Sequence, residues 1–174
     1  MRREDLEHLI RAAATISQDD DIVVIGSQAI LGSHPFAPEE LLISDEADLF
    51  PRNHPERADL VDGAMGELSM FHETFGYYAQ GVAADTATLP VGWQKRLVLL
   101  ETPATRGARG WCLEVHDLLV SKYVAGRQKD LRYTAAAAKA ALADPELLRM
   151  RVGDTTMEAE LRGLVLARID RDYP

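Results

Sequence analysis

The run Ile22-Val23-Val24-Ile25 is the tightest constraint on the fold. Four β-branched residues in succession, with no polar residue alternating between them, predict a strand buried on both faces. Such a strand needs helices or further strands around it, so a layered sheet is expected. Gly26 ends the run, and Ser27 is placed to cap a short helix reaching Leu31. Upstream, Leu6, Leu9, Ile10, Ala13 and Ala14 recur at helical spacing between Arg2 and Ile16. The acidic stretch Asp19-Asp20-Asp21 between that helix and the strand reads as a solvated turn.

The remaining elements alternate in the same way. Ser44 to Phe50 reads as a second strand stopped by Pro51. Pro55 to Met65 reads as helix, and Met70 to Tyr78 as an aromatic-rich extended segment. Arg96 to Glu101 ("RLVLLE") predicts a strand that turns through Thr102 to Gly110 and returns as Trp111-Cys112-Leu113. From Val115 onward the pattern is helical: Val115 to Ala125, Lys129 to Ala143, and Thr155 to Ile169, with breaks at Asp144-Pro145 and Val152-Gly153. The expected class is α/β (α+β), a small mixed sheet with flanking helices and a helical C-terminal part. Residues 1–114 are expected to form the sheet-bearing core, and residues 115–174 a helical part packed on it as one compact unit.

Composition removes several classes of function. A chain of 174 residues buries roughly 70% of its unfolded surface and needs no covalent staple. The single Cys112 excludes an internal disulfide and any multi-cysteine metal site. No apolar run approaches the roughly 20 residues of a membrane span. The charged start, Met1 to Asp5, lacks the apolar stretch of a signal peptide, so a cytoplasmic location is expected. A formal charge of −9 argues against a broad phosphate-binding face but leaves room for a local basic pocket.

The chemistry gathers in two places. Along a strand, residues i and i+2 project from one face, so Glu46 and Asp48 hold two carboxylates side by side while Ala47 points away. A divalent cation relieves their repulsion, and Mg²⁺ is typically held by one or two carboxylates plus phosphate oxygens. Gly26-Ser27, at a strand-to-helix turn, offers backbone N–H groups and a hydroxyl to a phosphate. The second place is Lys122 to Asp130. Lys122 and Lys129 are seven apart and share a face of a continuous helix, whereas a break at Gly126 would swing Arg127 and Lys129 towards a pocket. Asp117 and Asp130 offer these cations a structural alternative, and for Asp130 that role is the favoured one.

At these residues the chain resembles the nucleotidyltransferase superfamily that includes DNA polymerase β. The matching elements are Ile25-Gly26-Ser27 and Glu46-Ala47-Asp48-Leu49. More narrowly, "LEVHDLLVSKYVAGRQKD", Leu113 to Asp130, is similar to a helix of a small bacterial nucleotidyltransferase-like family of unassigned function, related to abortive-infection toxins. The resemblance covers roughly Ile22 to Ala143. It implies metal-dependent transfer of a nucleoside monophosphate from a nucleoside triphosphate to an acceptor hydroxyl. Glu46 and Asp48 then hold Mg²⁺, Gly26 and Ser27 contact the triphosphate, and Lys122, Arg127 and Lys129 form the cationic wall. The superfamily's third acid, on a neighbouring strand, is assigned to Glu101, with Glu73 next. The acceptor stays open among a small molecule, a protein and an RNA 3′ end. The alternative is a non-catalytic binding module that kept the fold, such as one member of a toxin–antitoxin pair acting on a partner protein.

Other prominent residues read as structural. His72 and the tyrosines of "FHETFGYY" fit a packed sheet face. His116 fits a helix start, Trp93 and Trp111 fit core or pocket wall, and Ala135 to Ala138 supply helix propensity.

Overall fold

The computed structural model describes residues 1–174. Five strands form one mixed sheet: β1 (Asp21–Val24), β2 (Glu46–Pro51), β3 (Tyr78–Gly81), β4 (Val98–Leu100) and β5 (Arg109–Cys112). Their spatial order is β3-β2-β1-β5-β4, with β1 antiparallel to β2 and parallel to β5. β3 runs parallel to β2, and β4 antiparallel to β5. The expected central strand is therefore central. Ile22 pairs with Gly110, which Ile10 of helix α1 (Arg3–Ser17) approaches, whereas Val23 lies between its partners Phe50 and Trp111 on the other face.

The other helices are α2 (Ile30–Ser33), α3 (Ala58–Met65), α4 (Met70–Phe75), α5 (Val115–Ala125), α6 (Gln128–Lys139), α7 (Pro145–Gly153) and α8 (Ala159–Asp172). α1 and α3 cover the face of the sheet that carries Ala47, Leu49 and Gly81. Gly81 there abuts the backbone of Ala58. α5 to α8 gather beyond α2, and buried residues from Leu6 to Ile169 belong to one apolar core. No helix is long and apolar enough to cross a membrane.

Several local expectations change. Met70 to Phe75 is a helix, capped by Ser69 and ended by Gly76 at φ 76°, so the aromatic run is not extended. Its rings instead gather around His8 of α1, which meets the Tyr77 hydroxyl at 2.8 Å. The break at Asp144-Pro145 is present, but α7 is an added helix beyond it: Asp144 caps it and Pro145 occupies the first turn, where no backbone donor is needed. Asp19 does not sit in a solvated turn. It is buried and accepts hydrogen bonds from the backbone of Asp21, Asn53 and His54. Burial alone would raise its carboxyl; the hydrogen bonds outweigh that and hold it below the ordinary range.

Candidate active site

β2 builds the site by simple alternation. Ala47 and Leu49 are fully buried beneath the helices, so Glu46 and Asp48 face the opposite way. The register sets Glu46 beside Tyr78 and Asp48 beside Gln80 of β3. The two carboxyls are near enough for each to feel the other's charge. Burial pushes both above the ordinary carboxylate range, and the charge of Asp48 raises Glu46 further. Burial, together with the neighbouring Glu46 carboxylate, pushes the Tyr78 phenol up to about 12.

The glycine turn lies directly against Asp48. Gly26 has extended backbone (φ −77°), so the position does not need glycine's conformational freedom. It needs glycine's size: a Cβ there would fall onto the Asp48 carboxylate, 2.8 Å from Cγ and 2.9 Å from Cβ. Ser27 does not cap. Gly26 holds the cap position, and Ser27 opens a single 3₁₀ turn, Ser27–Ala29, that leads into α2. Its hydroxyl meets only the buried Gln28 amide, at 3.4 Å, and is otherwise free to receive a ligand. Its carbonyl accepts a 2.7 Å hydrogen bond from the Tyr133 hydroxyl, which pins the turn to α6.

Gly126 breaks the helix, at φ 62°, between α5 and α6. A side chain there would also strike the Arg168 guanidinium. Lys122 therefore comes from the end of α5 and Lys129 from the start of α6. Asp130, almost fully buried, binds both Lys122 (3.5 Å) and Arg127 (2.6 Å). Burial would raise the Asp130 carboxyl, but Arg127 and Lys122 outweigh it and hold it low. Burial lowers the Lys122 ammonium, with Asp130 and Asp48 opposing. The favoured structural role of Asp130 is the one it takes. Asp117 does not share it: Asp117 pairs with Arg96 and Arg151, away from these cations.

Gly26, Ser27, Glu46, Asp48, Lys122, Arg127 and Lys129 all line one cleft of about 1070 Å³. A family model described as "Nucleotidyltransferase of unknown function (DUF6036)" matches residues 4–164. The chain belongs to that family. No curated protein and no solved structure matches it. The match includes both segments on which the resemblance rested, and ends within the first half of α8.

Within this nucleotidyltransferase the third carboxylate is not where it was expected. Glu101 follows β4, an edge strand separated from β2 by β1 and β5, and it does not line the cleft. Glu73 is exposed on α4 and is absent from the cleft as well. Gln80 of β3 stands opposite Asp48 instead, a neutral amide on the neighbouring strand. No cluster of three or more His, Cys, Asp or Glu forms anywhere in the chain. The two carboxylates, with the Gln80 amide on the neighbouring strand, could offer oxygen donors of the kind a hard cation such as Mg²⁺ takes.

Gln80 and Tyr133 carry no signal in the sequence, and Tyr78 there fits only a packed sheet face. Gln80 and Tyr78 join the site only through the parallel β2–β3 register, and Tyr133 only through the α6 packing. Trp111 is structural as expected: its indole donates to Asp21 at 2.7 Å, and Arg52 lies 4.4 Å over its ring. His116 is structural too, bridging the Glu114 carboxylate (2.6 Å) and the Asp144 backbone (2.9 Å).

Proposed function

We propose that the protein transfers a nucleoside monophosphate from a nucleoside triphosphate to an acceptor hydroxyl. The observation that carries this is the meeting of Asp48 and Gly26. The phosphate-binding turn and the acid pair are so close that only glycine fits between them. Ser27 and the turn's backbone bind the triphosphate, and Lys122, Arg127 and Lys129 balance its charge. Glu46 and Asp48 would hold Mg²⁺. When bound, that ion neutralises charge on phosphate oxygens during an in-line displacement. The acceptor oxygen bonds to the α-phosphorus, the bond from that phosphorus to the β-phosphate oxygen breaks, pyrophosphate leaves, and the hydroxyl proton passes to solvent. A nucleoside triphosphate substrate also fits a cytoplasmic setting.

One observation favours a second reading. Gln80 replaces a charge on the strand beside the acid pair, as in a domain that binds nucleotide or a partner protein without turning over, for instance one half of a toxin–antitoxin pair. Thermal melts with ATP or GTP, each with and without Mg²⁺, test the proposal, because a ligand of the native state raises the midpoint. Stabilisation that needs both metal and nucleotide is expected, and melts that ignore both defeat the proposal. Release of pyrophosphate then separates turnover from binding alone.

A further inference from the structure

We propose that the outer half of the cleft binds an acceptor that itself carries phosphate, which deepens and rests on the nucleotidyltransferase reading. At about 1070 Å³, the cleft exceeds the roughly 300–1,000 Å³ usual for one small ligand. Beyond the inner cations, α6 presents Arg132 and Lys139 to the same space. Lys129, Arg132, Ala136 and Lys139 follow one another at i, i+3, i+7 and i+10, a single helix face. From Lys129 to Lys139 that face runs about 15 Å along the axis.

These outer cations have no structural employment. Arg132 is exposed and meets no carboxylate. Lys139 approaches Glu40 at only 3.9 Å, with the two side chains 80% and 62% exposed, a pair that contributes little. The inner cations differ, because Asp130 already holds Lys122 and Arg127. Five cations against four acids line the cleft, in a chain whose net charge is −9. Positive charge is therefore concentrated here against the trend of the molecule, and it continues past the acid pair. Between Arg132 and Lys139 the wall is low, with Ala135 and Ala136. Ile43 lines the same cleft at 78% exposure. That combination suits an apolar ring or sugar flanked by phosphate. The acceptor hydroxyl lies at the Glu46–Asp48 end and its phosphate at Arg132 and Lys139. The bonds formed and broken are those of the transfer described above.

Two sources share this chemistry, the 3′ end of a single-stranded nucleic acid and a small sugar phosphate. One arm of the test follows a short single-stranded RNA with a 5′ fluorophore by anisotropy. The other follows ribose 5-phosphate by calorimetry. Both use the wild type and the double variant Arg132→Glu/Lys139→Glu, whose substituted positions are exposed and leave the fold intact. The wild type is expected to bind at least one probe, and the double variant to bind it about tenfold or more weakly, with affinity falling as salt rises. The responding arm names the source. Binding of neither probe, equal binding by both proteins, or displacement of the probe by ATP with Mg²⁺ overturns the proposal. Melts with ATP and Mg²⁺ on the same proteins keep the readings apart. Absence of that stabilisation in the wild type defeats the nucleotidyltransferase reading, and its presence without probe binding defeats this one alone.

Discussion

Glu46 and Asp48 lie side by side because β2 alternates, and Asp48 keeps its place because nothing larger than Gly26 stands against it. Gly26→Ala is expected to push the Asp48 carboxylate out of place, at a cost of about 1–3 kcal/mol for the added carbon. Stabilisation by Mg²⁺ and nucleotide should disappear with it, as a pair of melts will show; a variant that still responds fully would mean the carboxylate position is not critical. Asp48→Asn separates electrostatics from packing. Both carboxyls titrate above their ordinary values in the folded protein, so the folded state binds more protons than the unfolded chain over that interval. Their contribution to stability is full below the ordinary carboxylate range and lost as pH rises through the raised values. The apo variant should therefore match the wild type in acid and melt increasingly above it as pH climbs, levelling off once Asp48 is ionised. A domain of this size gains about 2–4 °C per kcal/mol. Melting midpoints of both proteins across the acid-to-neutral range check this, and a gap that shrinks with pH would show that Asp48 is stabilising as an anion.

At the scale of elements, the site depends on how α6 and β3 dock. Tyr133 ties α6 to the Ser27 carbonyl, and Tyr133→Phe removes that bond, for about 0.5–1.5 kcal/mol, while the carbonyl keeps the Ile30 N–H. The expected result is a lower midpoint and weaker nucleotide affinity, with Mg²⁺ still required; calorimetric titration of ATP reads the second effect, and unchanged affinity would show that the turn holds itself. What was legible in the sequence follows from the same division. The β1 run, the Glu46–Asp48 alternation and the Val115–Ala125 helix depend on local pattern, and each appears close to its expected limits. The rest depends on tertiary pairing. "RLVLLE" reads correctly as a strand, yet only the order β1-β5-β4 reveals that Glu101 lies at the far edge. Met70 to Phe75 carries strand-prone aromatics, but Ser69 and Gly76 cap a helix whose rings pack on His8. Asp19 resembles a solvated charge in the sequence and Asp117 a partner for the nearby cations, because the donors that hold them come from distant segments.

The whole molecule has to hold α5 still, since α5 delivers Lys122 to the cleft, and Asp117, five residues earlier, anchors it. Asp117 is fully buried and takes two hydrogen bonds from Arg96, at 2.8 and 3.0 Å, ahead of β4. Arg151 of α7 adds a charge contact at 3.4 Å and has no other partner for its Nε atom. One carboxylate thus joins the sheet's edge region, α5 and the helical part. Removing one member of a buried ionic group leaves uncompensated charge and costs about 3–5 kcal/mol. Asp117→Ala strands two guanidiniums at once, so the midpoint should fall by roughly 6–20 °C at about 2–4 °C per kcal/mol. Nucleotide affinity should fall too, but only because the folded population shrinks, and cooling the protein well below its midpoint should restore the Mg²⁺-dependent response. Asp48→Asn behaves in the opposite way, losing the response while the fold holds. Melts of the two variants, paired with nucleotide titrations at low temperature, make the comparison. If Asp117→Ala melts within a few degrees of the wild type, the helical part is held by its apolar core and the Asp117 cluster is incidental. If it melts far lower and stays unresponsive even when folded in the cold, then the cluster positions Lys122 directly and belongs to the site.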